Sequence, residues 1–108
     1  KEARRRVQLQ AEQLDRTIER EVRRAWMDVA ETGQRLQARQ GSVGQARLGL
    51  DDAEARYRTG AGTQLEVLDA QLSLSQAESE HARVLRDQSM ALVELERAVG
   101  VLGEDVGD

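Results

Sequence analysis

Residues 56 to 71, RYRTGAGTQLEVLDAQ, interrupt two long helical patterns at one point, and their reading decides the fold. Gly60 suits the left-handed residue that closes a helix, and Arg56 and Arg58 stand in the last turn, where the helix dipole favours cations. Thr63-Gln64-Leu65-Glu66 has the T-x-x-E spacing of a capping box: the threonine caps and the glutamate reaches back from the third position. One helix therefore ends and another begins within a few residues. No comparable stop signal stands on either side until about residue 99. The expectation is an all-α fold, a long antiparallel coiled-coil hairpin. Its helices should cover 1–58 and 64–99, with a tip turn at 59–63 and a flexible tail at 101–108.

The first helix carries Val22, Val29, Leu36, Val43, Leu50 and Tyr57 at a strict interval of seven. Ala25, Thr32, Arg39, Ala46 and Ala53 fall at the accompanying offset of three, which completes a coiled-coil seam. Leu14 and Ile18 continue it upstream after a four-residue step that resembles a stutter. Gln40 to Gly44 could break the helix, but the heptad phase passes through Val43 unshifted, which favours continuity. A second stripe, Met27, Ala30, Gly41, Gly44, Leu48 and Ala55, lies roughly 150° away on the heptad wheel. It is made mostly of small residues that permit close helix approach.

The returning helix repeats the design. Val67, Ala70, Leu74, Ala77, His81, Val84, Gln88, Ala91, Leu95 and Ala98 form one stripe; Leu65, Leu68, Leu72, Ser75, Ser79 and Ala82 form another. A lone hairpin needs one seam per helix. Two seams imply a neighbour on both flanks, as for a stave in a ring of helices, with a large helical bundle as the competing arrangement. As one helix, residues 1–58 would span ~85 Å against ~50 Å for 64–98, so another helix is expected on the overhang.

Composition agrees with surfaces rather than a core. Of 108 residues, 39% are hydrophobic and 33% charged, with no Pro, Cys or Phe. Ala, Glu, Lys, Leu and Arg make up about half of the chain, the bias of long helices and coiled coils. The absence of Cys removes disulfides and thiolate metal sites. No apolar run approaches the ~20 residues of a membrane-spanning helix. The net charge is −4, and the basic start, eight Lys or Arg against five acids in residues 1–24, mixes its signs around the helix without aromatic residues for base stacking. That reads as a solvated face, with no nucleic-acid partner. The uncapped, basic opening Lys1-Glu2-Ala3-Arg4-Arg5-Arg6 reads as a cut inside a longer helix, and the chain as a fragment. His81, alone in its seam, reads as a packed or interfacial histidine. Nothing suggests an enzyme, a cofactor or a metal site.

The run from Ala55 to Gly100 resembles the outer-membrane efflux protein (TolC) family: Tyr57, Gly60 three residues on, Glu66-Val67-Leu68-Asp69-Ala70-Gln71, and a Leu-rich helix closing from Leu95 to Gly100. Upstream, Glu21-Val22-x-x-Ala25-Trp26 resembles the start of that family's long helix. The resemblance implies a homotrimeric channel in which an outer-membrane β-barrel, absent from this sequence, continues into a periplasmic α-barrel of helical hairpins. This chain would be one periplasmic stave, most like the second repeat. It implies further partners, a periplasmic adaptor protein and an inner-membrane transporter, in efflux or type I secretion. The adaptor-facing tip would be Tyr57, Arg58, Thr59, Gly60, Ala61, Gly62, Thr63, Gln64 and Leu65, and Glu66 and Asp69 would line the channel entrance. Gly62 departs from family members that carry a basic residue there, and it cannot make their charged closed-state contact. The isolated fragment should self-associate through its unused seams. The alternative is a different hairpin module, such as the coiled-coil arm of the adaptor.

Overall fold

The computed structural model describes the backbone of residues 1–106 and the side chains of residues 1–101. It is all-α. Helix α1, Glu2–Thr59, is 58 residues long, and helix α2, Gln64–Val106, is 43. Among the described residues there is no strand and no cis peptide bond. α1 runs unbroken through Gly33, Gly41, Gly44 and Gly49, because the heptad pattern continues on both sides of each. α2 continues to Val106, past the end expected at residue 99. Residues 107–108 of the expected tail, and the side chains from 102 onward, lie outside the described residues.

The chain divides into two compact units. One holds Thr32–Gln88 and the other Lys1–Glu31 with the segment from Ser89 onward. Within the first, Thr32 meets Gln88, Arg35 meets Asp87, Arg39 meets Glu80 and Arg47 meets Glu78. Partner numbers fall along α2 as they rise along α1, which makes the pair an antiparallel hairpin. Thr32, Leu36, Val43, Ala46, Leu50 and Ala53 turn inward from α1, and Val67, Ala70, Leu74, Ala77, His81 and Val84 from α2. The first stripe of one helix thus packs on the first stripe of the other, as a coiled-coil seam requires.

In the second unit, Ile18, Val22, Ala25 and Val29 of α1 turn inward, with Ala91, Leu95 and Ala98 of α2. Glu21, Arg24 and Asp28 share a shallow groove with Glu94, Arg97 and Val101, so the two helices lie side by side here as well. Residues 1–17 are exposed throughout, Val7, Leu9 and Leu14 among them. Burial is sparse in both units: among the described residues, Ile18, Ala25 and Ala91 are buried in the second unit, and Val84 and the polar Thr32 in the first.

The second stripes face solvent. On α1, Met27 and Leu48 are exposed, Leu48 at 70%, as are Ala30, Gly41, Gly44 and Ala55. On α2, Leu65, Leu68 and Leu72 are exposed, Leu65 at 66%, as are Ser75, Ser79 and Ala82. Each helix therefore uses one seam inside the hairpin and leaves the other open.

Candidate functional site: the hairpin tip

The tip is built by backbone hydrogen bonding. Gly60 adopts φ +80°, the left-handed conformation that an L side chain resists. Its N–H donates to the Tyr57 carbonyl at 3.2 Å, and the Ala61 N–H donates to the Arg56 carbonyl at 2.9 Å. These two bonds form a Schellman closure, which satisfies carbonyls that the helix end leaves orphaned. The Arg56 carbonyl accepts two more donors, the Gly62 N–H at 3.0 Å and the Thr59 hydroxyl at 3.1 Å. Three groups converge on one oxygen, so the turn is tightly wound.

Gly62 is required for a different reason from Gly60. A Cβ at this position would stand 2.9 Å from Arg56 Cβ and 2.9 Å from Glu66 Oε2. The first neighbour is anchored to the α1 backbone and has little room to yield. Any side chain here, a basic one included, would therefore force the turn to shift. Sequence reasoning noticed the missing charge but missed the steric reason for it.

Thr63 starts α2. Its hydroxyl accepts the Glu66 N–H at 3.2 Å, and its carbonyl accepts the Val67 N–H at 3.4 Å. The Glu66 carboxylate folds back beside Gly62, where a negative charge complements the N-terminal end of α2. Arg56, the other charge near the turn, pairs with Asp52 at 3.2 Å. That leaves it poorly placed to replace a charge at position 62.

The expected tip residues come together as one exposed surface. Tyr57, Arg58, Thr59, Gly60, Ala61, Thr63, Gln64 and Leu65 are exposed and Gly62 is half-buried. The Tyr57 ring is 50% exposed although it occupies a seam position, because the seam ends beneath it. Leu65 and Leu68 add exposed apolar area on the α2 side. Asp69 is exposed one turn beyond Glu66. The surface thus joins an aromatic ring, two leucines and a tightly hydrogen-bonded backbone turn.

No group of His, Cys, Asp and Glu among the described residues could hold a metal ion. His81 lies in the seam with its Nε2 buried and without a hydrogen-bond partner among the described residues. No described helix is long and apolar enough to cross a membrane.

The profile of the outer membrane efflux protein family matches residues 1–101, nearly the whole sequence. The chain belongs to the outer membrane efflux protein family. It is also similar to the pyoverdine export outer membrane protein OpmQ of Pseudomonas putida, with 48% identity over 58 residues. The aligned stretch is 54% of this chain and spans only 12% of that relative's length. No solved structure matches the chain. The match is to the channel family rather than to an adaptor, the alternative that the sequence left open.

Proposed function

We propose that this hairpin is a periplasmic stave in the α-barrel of a trimeric outer-membrane channel for efflux or type I secretion. Its open seams pack against neighbouring hairpins to close a ring. Its tip, Tyr57 to Leu65, docks the periplasmic adaptor, which in turn engages an inner-membrane transporter. Glu66 and Asp69 stand at the entrance, where a threefold ring of acids concentrates negative potential and favours cations. Opening proceeds by shear between neighbouring hairpins along the small-residue flank of Gly41 and Gly44.

One observation carries this reading: in a chain of this family, both helices keep a second apolar stripe that the hairpin itself does not cover. A self-sufficient hairpin would have polar residues there. The test is adaptor capture by the whole channel protein. Tyr57→Ala together with Leu65→Ser should leave the trimer intact in outer-membrane extracts while abolishing co-purification of the adaptor and stopping export. Undiminished capture with normal export would remove the tip from the docking surface.

A further inference from the structure

Around the turn, the covered and open stripes of this hairpin have nearly the same chemistry. Near the tip, the buried seam offers Leu50 and Ala53 from α1 and Val67 and Ala70 from α2, while the open stripes offer Leu48, Ala55, Leu65 and Leu68. Hydrophobic attraction is non-directional and follows area alone. It gives α1 little reason to prefer one stripe of α2 over the other, or its own α2 over that of a second copy.

Thr32 and Gln88 are different. Thr32 is the one polar residue among the fully buried residues described, at 6% exposure. Its hydroxyl donates to Gln88 Oε1 across the seam. The Gln88 amide lies along α1 at Gly33, with Nε2 and Oε1 3.9 and 4.0 Å from where a Cβ would stand. Both belong to the stripes the hairpin covers, whereas near this level the open stripes carry Gln34 and Gln37 on α1 and Arg86 and Ser89 on α2. If α1 met the open stripe of α2 instead, the three- and four-residue steps of that stripe would bring Arg86 and Ser89 to this level. Gln88 would turn outward, and a guanidinium would enter the seam.

We propose that the Thr32–Gln88 hydrogen bond is a seam-identity lock: a buried polar pair that selects which stripes close the hairpin and reserves the other two for neighbouring chains. A polar residue in a coiled-coil core is known to set register and partner at the expense of stability. Here it selects between two faces of the same helices. The choice of the covered seam rests on the fold alone; that the open stripes serve neighbouring chains rests on the channel reading.

The test uses the 108-residue chain, diluted into excess unlabelled chain so that only distances within one hairpin are read, with nitroxide spin labels on the exposed Gln45 and Gln76, which lie at the same level on the two helices. The unaltered seam should give one narrow inter-label distance. Thr32→Val with Gln88→Leu makes the seam wholly apolar; its melting temperature should hold or rise while the single distance is lost to two or more populations. The exchanged pair, Thr32→Gln with Gln88→Thr, keeps a polar couple and should restore one narrow distance. A single narrow distance in the apolar variant would overturn the proposal, since the apolar residues and the tip would then suffice to choose the seam. Loss of helicity in that variant would overturn it too, because the pair would then support folding rather than select a face.

Discussion

The Gly62 N–H reaches the Arg56 carbonyl at 3.0 Å, and this places its Cα where an added Cβ would stand 2.9 Å from Arg56 Cβ. The turn at the hairpin tip is therefore shaped by the absence of a side chain. Gly62→Ala should force the turn to shift, with a loss of about 1–3 kcal/mol typical of overpacking. Thermal melting followed by circular dichroism would register it, and a melting curve unchanged by the substitution would refute the steric reading.

Gly60 makes a second, separable demand. Its φ of +80° is open to glycine and strained for alanine, and no atom crowds the position where a Cβ would stand. Gly60→Ala should therefore destabilise the hairpin by about 1–2 kcal/mol through backbone strain alone. Gly60→Asn should be milder, since asparagine tolerates the left-handed region better, and equal losses for the two would point away from φ as the cause.

The capping hydroxyl of Thr63 satisfies one N–H of the first turn of α2. Thr63→Ala should cost about 1 kcal/mol, and Thr63→Ser should recover most of it. Amide hydrogen exchange at Glu66 offers a local readout: faster exchange in Thr63→Ala and near-normal exchange in Thr63→Ser are the expected results.

The hairpin was largely legible in the sequence because heptad spacing and turn chemistry are local signals. Val43 kept its phase across Gly41 and Gly44, so α1 could be read as continuous, and Thr63 and Glu66 announced the restart. Both stripes on each helix were visible for the same reason. Three things were not. The end of α2 at Val106 was missed because the glycines of the tail resemble a stop signal, yet the helix continues through Gly100 and Gly103. The role of Gly62 depends on a contact with Arg56 through space. The Thr32–Gln88 pair joins residues 56 apart, and only the pairing of the helices reveals it.

The interhelical ion pairs illustrate how little surface charge decides. Arg39 Nη1 lies 2.8 Å from Glu80 Oε2, but both side chains are about half exposed. Glu80→Gln should lower stability by no more than ~1 kcal/mol, as exposed pairs do. The difference should vanish in 1 M salt, where the screening length falls to ~3 Å. A deficit that persists at high salt would mean that Glu80 packs rather than pairs.

Gly41 and Gly44 separate hairpin folding from assembly. Neither has any atom within 4 Å of the position where a Cβ would stand. Replacing both with Ala should stabilise the isolated chain by up to about 1 kcal/mol per site through helix propensity. Replacing both with Leu should leave the hairpin folded but obstruct close packing on that flank, so whole-channel trimer yield should fall. Full trimer recovery with both leucines would remove this flank from the assembly interface.

The account stands on the claim that the open stripes are covered in the assembled protein, and labelling measures that directly. Single cysteines replacing Leu48 on α1 and Leu72 on α2 would be introduced into the whole protein in its native outer membrane, and their maleimide reaction rates compared with those after denaturation. The account predicts that both positions react far more slowly in the native protein, because neighbouring hairpins bury them. Native rates as fast as the denatured ones, at either position, would leave that flank bare to water and contradict the ring.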